Sequence, residues 1–378
     1  AVNESTLAKL KVKYEEKLAK LTADIHGAAG SNFNIASPKQ LGEVLFEKLG
    51  LRHGKKTKTG YSVSEDVLSG LVDEHPVVGQ VLEWRHYAKL LGTYVTGMQP
   101  LVNRGRIHTE FNQCITATGR LSSTNPNLQN IPVRGEEAKD VKSAFVASEG
   151  CVLVSADYSQ IELRMLAHFS ADEKLIEAYN NAADIHALTA SQILGVPQSE
   201  VTPAQRRDAK AVNFGIIYGM SDFGLAENLS IPKYKAKEFI ERYFATYPKV
   251  KEYMDGNVAF AREHGYSVTL LGRRRNLAEI NSSNYLLRSA AERMAMNTPL
   301  QGSAADVVKL AMIAVEKRLS GMKSKMILQI HDELIVDAAE DEADEVLAIL
   351  KQEMENAVTL RVPLVAQANK ATNWGELK

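Results

Sequence analysis

Cysteine, long apolar runs and net charge are all scarce in this chain of 378 residues. Its two cysteines, Cys114 and Cys151, make neither a disulfide framework nor the spacing of a metal site, so ordinary thiols in a reducing compartment are expected. No apolar run reaches the roughly 18 residues that a membrane span requires, and the N-terminal segment lacks the pattern of a secretory signal. These absences favour a cytoplasmic protein with no membrane partner.

The net charge is only −1, so a polyanionic partner would have to be bound by local basic patches. Several such patches exist, although a solvated surface is the ordinary explanation for any one of them. Their members are Arg52, His53, Lys55, Lys56 and Lys58; Arg104 and Arg106; Arg206, Arg207 and Lys210; and Arg273, Arg274 and Arg275. The length and the 45% hydrophobic composition predict two or three packed subdomains with a sizeable core.

A helix is predicted from the motif TPAQRRDAKAVNFGIIYG, which begins at Thr202. Thr202 would be the N-cap, a proline takes the first helical position, and Gln205 completes a capping box. The side chains that recur every fourth residue along one side of this helix are Arg206, Lys210, Phe214 and Tyr218. Two cations followed by two aromatic rings suit a nucleoside triphosphate; the alternative is a solvated basic turn running into an apolar core stripe.

Two carboxylates are predicted to lie at the ends of buried strands. CVLVSA predicts an apolar strand that ends at Asp157, and MILQIHDELIVDA predicts a hairpin with His331, Asp332 and Glu333 at its tip. An acidic turn alone carries little information, but a second isolated carboxylate at a strand end adds weight to it. If Asp157 and Asp332 converge at a sheet edge, they would hold two Mg²⁺ ions about 3.5 to 4 Å apart, the arrangement used in phosphoryl transfer.

The N-terminal region is predicted to be helical with a basic tip. Apolar residues recur at threes and fours over 7–25 and again over 78–94, which predicts an antiparallel pair of helices. The lysine-rich loop at 52–61 would lie at the tip. There it suits contact with a phosphate backbone without reading its sequence.

Two more segments carry polar side chains in quantity. TATGRLSSTNPNLQNIPVR, from Thr116, is predicted to be too irregular for a strand or a helix, and is either an interaction segment or a plain surface loop. Residues 285–319 are predicted to be helical but interrupted by Pro299. The polar side chains four residues apart on one side of that helix are Arg293, Asn297 and Gln301.

Taken together, these segments resemble the family A DNA polymerases, the bacterial DNA polymerase I group. Three of them are similar to the polymerase motifs of that family: ADYSQIELR from Ala156, RRDAKAVNFGIIYG from Arg206 and QIHDELIVD from Gln329. TGRLSSTNPNLQNIP from Thr118 and RMAMNTPLQGSAAD from Arg293 match further family segments, and the matches run in order along nearly the whole chain.

The resemblance implies an α+β fold shaped like a right hand. The thumb would be helical and span 1–97, and the fingers would be helical and span 166–299. The palm would be an antiparallel sheet built from 98–165 and 300–378. Boundaries of this kind come from the family pattern and not from periodicity.

The resemblance also implies a role for each matching residue in DNA-templated extension of a primer 3′-OH with dNTPs, releasing pyrophosphate. The implied catalytic residues are Asp157, Asp332, Lys210 and, in support, Glu333. The implied metal ligands are Asp157, Asp332 and the Tyr158 carbonyl. The residues implied to bind the dNTP are Arg206, Lys210, Phe214, Tyr218, Gln160, His186 and Glu162, the last of which would exclude the ribose 2′-OH. The expected DNA contacts are Arg120, Asn125, Gln129, Arg293, Asn297, Gln301 and His331, joined by Lys55 and Lys56 of the basic loop.

The expected cofactor is Mg²⁺, as two ions for which Mn²⁺ is expected to substitute. The expected partners are primer-template DNA and dNTPs, and the chain is expected to be a monomer. The sequence starts directly in the first thumb helix without an initiator Met, so an upstream palm segment or exonuclease-type domain is expected outside it, and no 3′ to 5′ proofreading within it. A cytoplasmic location at the nucleoid is expected, with an organelle as the alternative.

Two rival functions remain. A single-subunit RNA polymerase shares the motif plan, but Glu162 and the HDE turn favour the DNA enzyme. A catalytically silent DNA-binding scaffold is the other rival. The intact Asp157, Asp332 and Lys210 argue against it.

Overall fold

The structure, a computed structural model, describes residues 1–54, 56, 60–132 and 135–377, and over these residues the chain is α+β. The helices are α1 (Glu4–Ala29), α2 (Pro38–Gly42), α3 (Glu65–Ser69), α4 (Pro76–Lys89), α5 (Glu136–Ser143), α6 (Ile161–Ser170), α7 (Glu173–Asn180), α8 (Ile185–Leu194), α9 (Pro203–Ile217), α10 (Asp222–Leu229), α11 (Lys233–Thr246), α12 (Pro248–His264), α13 (Tyr285–Leu319) and α14 (Ala343–Glu355). The strands are β1 (Glu110–Asn112), β2 (Ser122–Thr124), β3 (Cys151–Tyr158), β4 (Tyr266–Val268), β5 (Arg274–Asn276), β6 (Lys325–Ile330), β7 (Glu333–Ala339) and β8 (Ala366–Ala371).

The chain divides into two compact units. The first unit comprises Ala1–Glu110, Asn125–Ser148 and Thr372–Glu376. The second unit comprises Phe111–Thr124, Glu149–Ala371 and Leu377. The thumb, palm and finger boundaries stay a prediction.

In the first unit, α1 and α4 form the predicted antiparallel pair. Tyr14 of α1 packs against Tyr87 near the end of α4, with ring centroids 5.6 Å apart, whereas Thr22 accepts a hydrogen bond from Trp84 Nε1 at 2.9 Å. The partners thus move back along α4 as the chain advances along α1. Their apolar faces are buried, which is the reason for the spacing seen in the sequence.

The basic loop of the first unit carries Lys56 in an ion pair. Lys56 Nζ lies 2.8 Å from Glu47 Oε1 and 4.6 Å from the centroid of the Tyr61 ring. Lys55 and Lys58 lie outside the described residues. Lys56 therefore has an anionic neighbour already, and a phosphate would have to compete with it.

The second unit is organised around a four-stranded sheet in the order β6-β7-β3-β8. The strand at Cys151–Tyr158 and the hairpin of β6 and β7 confirm the two strand predictions. The hairpin tip is tighter than predicted, because Glu333 already pairs with Ile330 and leaves His331 and Asp332 as the turn. The β3 run is apolar without alternation because its middle residues are buried on both faces.

Helix α13 contradicts the predicted interruption at Pro299. It is continuous over 35 residues and contains this proline. A proline has no N–H with which to bond the carbonyl four residues earlier, which is that of Ala295. The Ser267 hydroxyl donates to this carbonyl at 3.5 Å, so a side chain from β4 replaces the missing backbone donor.

The polar segment from Thr116 is also more regular than predicted. Residues Ser122–Thr124 form β2, which pairs with β1, and Asn112 Nδ2 donates to Thr124 Oγ1 at 2.9 Å. The segment then divides between the two units after Thr124. None of the helices in the described part of the chain is long and apolar enough to cross a membrane.

Candidate active site

The end of the four-stranded sheet in the second unit carries the two predicted aspartates. In the antiparallel register of β3 and β7, Asp157 lies opposite Glu333, the residue that follows Asp332. The Tyr158 amide donates to the Asp332 carbonyl oxygen at 3.2 Å, which holds the hairpin tip against the end of β3. Two segments far apart in the sequence therefore bring three carboxylates to one end of the sheet.

The two aspartates differ in environment. Asp157 is exposed, whereas burial of the Asp332 side chain raises the pKa of that carboxyl. The positive charges of Arg120 and His331 oppose the rise. His331 has a φ of 54°, a left-handed conformation that costs a residue other than glycine about 1 to 3 kcal/mol. Its carbonyl accepts a hydrogen bond from Gln329 Nε2, which supports this strained turn.

Glu162 lies beside this sheet end, in the first turn of α6. It is only 5% exposed, and Arg120 Nη2 lies 2.8 Å from its Oε1. Burial raises the pKa of Glu162, the charge of Arg120 opposes that rise, and the charge of Asp332 adds to it. Burial and, next, the Glu162 carboxylate raise the pKa of Tyr218 to about 12. Arg120 thus forms an ion pair with Glu162, its charge also opposes the rise in the pKa of Asp332, and the Tyr218 hydroxyl is a further neighbour of Glu162.

Helix α9 begins as the sequence predicts and ends one residue earlier than its side-chain row requires. Thr202 Oγ1 accepts from the Gln205 amide, and Gln205 Oε1 accepts from the Thr202 amide, which is the predicted capping box. The last helical residue is Ile217 and Tyr218 is the C-cap, but the Tyr218 amide still donates to the Phe214 carbonyl at 3.0 Å, so the fourth side chain of the predicted row stands at the helix end. Gly219, at φ 61°, supplies the left-handed residue that commonly terminates a helix.

The row of cations and rings on α9 is nevertheless present. Lys210 is exposed, with Nζ 5.9 Å from the Phe214 ring centroid, and the rings of Phe214 and Tyr218 are stacked 6.5 Å apart. Arg206 Nε donates to Asp184 Oδ2 at 2.7 Å. Both partners of this ion pair are about two-fifths exposed, and such a pair contributes at most about 1 kcal/mol. A stronger anion would therefore displace Asp184 readily.

His186 is fixed by residues that the sequence did not single out. It is 2% exposed, and its Nδ1 lies 3.0 Å from Nδ2 of the fully buried Asn213. Burial lowers the pKa of His186 to about 4, and the charges of Lys210 and Arg206 act in the same direction. The ring is thus neutral at physiological pH and lies 6.0 Å from the ring of Phe214. Asn213 appears in the sequence only as a polar residue between apolar neighbours in the helical pattern, which was its sole signal.

Gln160 and Tyr158 connect β3 to α6. Gln160 is the N-cap of α6 with a φ of 55°, and its Oε1 accepts from the Tyr179 hydroxyl at 3.2 Å. The Tyr158 hydroxyl is buried and donates to the Met354 carbonyl at 2.6 Å. Both side chains are therefore held by contacts within the second unit.

The candidate DNA contacts on α13 lie near the end of α9. A Cβ at Gly219 would stand 2.5 Å from Met296 Cε and 3.1 Å from Arg293 Cγ, and the φ of 61° independently favours glycine at this position. Asn297 Nδ2 is buried, and no described residue accepts a hydrogen bond from it. Gln301 is half-buried further along the same helix. The unsatisfied amide of Asn297 is a polar group that a ligand would satisfy.

Arg273 is not the solvated cation that its basic run suggests. Its Nε and Nη2 donate to Oδ1 of the buried Asp306, at 2.9 and 2.7 Å, and Thr269 Oγ1 donates to Oδ2 at 2.6 Å. The guanidinium also lies against Gly119, where a Cβ would meet Arg273 Nε at 2.5 Å and where φ is 81°. The residue after Gly119 is Arg120, so this ion pair supports the backbone that presents Arg120. No local sequence pattern predicts the contact between Arg273 and Asp306.

Besides the lysines of the basic loop, the candidate DNA contacts Asn125 and Gln129 belong to the first unit. Asn125 has a φ of 56°, and its Nδ2 donates to Glu110 Oε2 at 3.4 Å. The Gln129 amide donates to Asn127 Oδ1 at 3.0 Å. Both contacts lie within the first unit.

The residues at the sheet end fit a divalent cation of the magnesium type. Their donors are oxygen atoms, which are the ligands that Mg²⁺ prefers. The raised pKa of Asp332 marks a buried carboxylate whose charge a cation would compensate. Within the described residues no group of three or more His, Cys, Asp or Glu side chains is arranged to hold a metal. The protein side would then consist of the two aspartates with a backbone carbonyl.

Comparison with known proteins gives one consistent family. Residues 4–376 match the family model for DNA polymerase family A. DNA polymerase I of Caldicellulosiruptor bescii is 52% identical over 381 residues, covering 100% of this chain and 45% of the relative. DNA polymerase I of Bacillus subtilis is 50% identical over 376 residues, covering 98% of this chain and 42% of the relative. The chain therefore spans less than half the length of these relatives.

A solved structure supports the same relation. The POL domain of Pol1 from M. smegmatis, in complex with DNA primer-template and dNTP, matches with a TM-score of 0.95 and 44% identity. The match covers 100% of this chain and 67% of that one. The expected α+β polymerase fold is thereby confirmed.

Proposed function

The chain belongs to DNA polymerase family A, and on this premise we propose that it catalyses DNA-templated extension of a primer 3′-OH with dNTPs. The observation that carries the proposal is the β3–β7 register. It sets Asp157 opposite Glu333 and beside Asp332, next to an enclosed Glu162. A scaffold that only bound DNA would have no use for carboxylates gathered where a phosphate backbone would be repelled.

The dNTP would bind along α9 with its phosphates toward the N-terminal half. Lys210 is exposed and would contact the triphosphate directly. Arg206 would exchange Asp184 for it, since a phosphate accepts charge-assisted hydrogen bonds from a guanidinium. The neutral His186 would add a hydrogen bond, and the Phe214 ring would lie against the sugar and base.

Asp157, Asp332 and the Tyr158 carbonyl would hold two Mg²⁺ ions, for which Mn²⁺ would substitute. When bound, such ions supply charge neutralisation at the attacking and leaving oxygens of an in-line displacement. Glu333 supports this end of the sheet by its pairing with Asp157.

In the reaction the primer 3′-oxygen would form a bond to the α-phosphorus, the bond from the α-phosphorus to the bridging oxygen would break, pyrophosphate would leave, and the hydroxyl proton would pass to solvent water. Lys210 is placed on the phosphate side of the site and would give its proton to the departing pyrophosphate. Alignment of the reactants and fixed charges supply most of the acceleration. Tyr218, at the C-cap of α9, lies against Glu162 and would move with the end of the helix. This movement would test the shape of the new base pair before the chemical step.

Selection of deoxyribose is assigned to Glu162. Its side chain is 5% exposed and is held by Arg120, so it cannot easily swing away from a ribose 2′-OH. This enclosure favours a DNA polymerase over the single-subunit RNA polymerase that shares the motif plan.

Primer and template would contact Arg120, Arg293, Asn297, Gln301 and His331 of the second unit. In the first unit Asn125, Gln129 and Lys56 would contribute, and Lys55 is assigned by its sequence position. We also propose the thumb, palm and finger spans of the family pattern, a monomeric state and a cytoplasmic location at the nucleoid.

The test is extension of a labelled primer on a DNA template by the purified chain, with dNTPs or rNTPs and Mg²⁺. We expect extension with dNTPs, little with rNTPs, and none after chelation of the metal. Binding of primer-template without extension would support the scaffold instead. Preference for rNTPs would support the RNA polymerase.

A further inference from the structure

Asn213 is an unusual residue in the buried face of α9. It is 0% exposed, and an amide enclosed to this degree is costly unless its hydrogen bonds are satisfied. Its partners come from α8. The Thr189 hydroxyl lies 3.3 Å from Asn213 Oδ1 and 3.2 Å from Asn213 Nδ2, and Nδ2 also lies 3.0 Å from His186 Nδ1. Thr189 is itself 0% exposed, so the amide is held from both sides.

This geometry determines which ring nitrogen of His186 carries the proton. Asn213 Nδ2 lies between Thr189 Oγ1 and His186 Nδ1, at 3.2 and 3.0 Å, so each of its two hydrogens has an acceptor. A nitrogen that accepts a hydrogen bond carries no proton, so the neutral ring must be protonated at Nε2. The charged groups around the ring are Lys210 and Arg206 of α9 and Asp184 at the start of α8. The two cations outweigh the aspartate and disfavour a second proton.

We propose that Asn213 is a positioning residue that fixes His186 as the Nε2–H tautomer, so that His186 donates a hydrogen bond to the incoming triphosphate. The use of that hydrogen bond rests on the proposed function. The tautomer itself does not, because it follows from contacts within the substrate-free chain. An acceptor nitrogen facing the triphosphate would repel phosphate oxygens, and a protonated ring would have to pay the desolvation of a buried cation.

The direct test is ¹⁵N NMR of the histidine ring nitrogens in the whole chain without substrate. His186 is assigned by the signals that disappear in His186→Ala. We expect Nδ1 to be unprotonated and Nε2 to be protonated at neutral pH. Protonation of Nδ1 in the unmodified chain would overturn the proposal, whatever the chain does with dNTPs.

Asn213→Asp provides the matched perturbation, since it replaces NH₂ by an oxygen without changing the size of the side chain. The carboxylate accepts where the amide donated, so Nδ1 of His186 should become protonated, either as the other tautomer or in a doubly protonated ring. Asn257→Asp, at a half-buried amide on α12 of the same unit, is the control and should leave the His186 signals unchanged. An unchanged His186 spectrum in Asn213→Asp would contradict the proposal.

Kinetics then ask whether the tautomer matters for the dNTP. Loss of a hydrogen bond to a charged group is expected to raise the dNTP KM of Asn213→Asp about tenfold with a smaller change in kcat. In a His186→Ala background the same substitution should change KM by less than about twofold, because its target is gone. Equal effects in both backgrounds would reveal a purely structural role and refute the proposal.

If Asn213→Asp does not fold, Thr189→Val takes its place. This variant removes the hydroxyl that accepts the second hydrogen of the Asn213 NH₂ group, and it should broaden or shift the His186 signals toward a mixture of tautomers. Its KM effect should likewise vanish in the His186→Ala background. Additive effects of Thr189→Val and His186→Ala would count against the proposal.

Discussion

The sheet end around Asp157 and the exposed face of α9 hold their charged side chains in place in different ways. At the sheet end, backbone hydrogen bonds fix where each carboxylate stands, because β3 and β7 are locked in register and the Tyr158 amide holds Asp332. Along α9, exposed side chains pair with other side chains, as Arg206 does with Asp184. The first arrangement is costly to alter, whereas the second exchanges partners at little cost.

This difference matches what each region would have to do in a polymerase cycle. Groups that act on the transition state must be placed before the substrate arrives, since reorganisation at the moment of reaction reduces catalysis. Groups that collect and release a nucleotide in every cycle benefit from weak pairings that a triphosphate displaces. The comparison predicts a graded series of effects.

The largest effect is expected at the sheet end. Asp157→Ala and Asp332→Ala should each reduce extension by at least about 10³-fold. Either change removes an oxygen ligand of the proposed metal ions, which would stabilise the charge of the transition state by several kcal/mol. Primer-template affinity, measured by fluorescence anisotropy, should change little. Asp341→Ala, which removes an exposed carboxylate paired with Lys323 at 2.7 Å, is the control. Turnover retained in either site variant would refute the metal assignment.

A smaller but large effect is expected for the cation of α9. Lys210→Ala should lower kcat about 10²- to 10³-fold, because it removes both a phosphate contact and the proposed proton donor. Arg207→Ala is the matched control, since Arg207 is an exposed cation on the same helix that has no assigned role. Single-turnover measurements of nucleotide addition would compare the two. Similar losses in both variants would mean that only the general charge of the helix matters.

Substitutions of Glu162 test the place where the sheet end meets α9, since Glu162 lies next to Tyr218. Glu162→Ala should raise rNTP incorporation relative to dNTP by about tenfold or more, because it opens the space next to the ribose. Glu162→Gln keeps the volume and removes the charge that pairs with Arg120. It should therefore retain most of the discrimination. If Glu162→Gln relaxes sugar selection as much as Glu162→Ala, charge and not size would be the basis of exclusion.

The smallest effect on dNTP extension is expected from the ring that lies along α9. Phe214→Tyr should alter dNTP extension by less than about twofold, since the added hydroxyl leaves the stacking surface intact. Its acceptance of dideoxynucleotides should rise, because the added hydroxyl offers a hydrogen-bonding group beside a sugar that lacks its own 3′-OH. Competition between dNTP and ddNTP in a primer-extension assay measures the ratio. An unchanged ratio would contradict the proposal that the Phe214 ring lies against the sugar of the dNTP.

Much of the candidate site was accessible from the sequence because it lies in locally encoded elements. The capping box of Thr202 and Gln205, the apolar strand before Asp157 and the acidic turn at Asp332 each formed where predicted. Errors occurred where tertiary contacts override local rules. Pro299 lies inside a continuous helix, and the Ser267 hydroxyl donates to the Ala295 carbonyl, with which the proline cannot form a hydrogen bond.

The supporting residues were missed for a related reason. Asn213 and Asp306 are single polar side chains in segments whose apolar pattern predicts only burial. Their roles depend on partners from other elements, His186 for one and Arg273 for the other. Periodicity describes which face of a helix is buried, but it does not identify what that face meets.

The sequence by itself determined the family, the α+β class, the helix that presents Lys210, and the two aspartates as a separated pair. Only the tertiary structure decided that Asp157 stands opposite Glu333, that Arg120 pairs with Glu162, and that the amide of Asn213 lies next to Nδ1 of His186. The reason is physical. Helix caps and strand runs are set by neighbours a few residues away, whereas strand register and buried polar pairs depend on long-range packing.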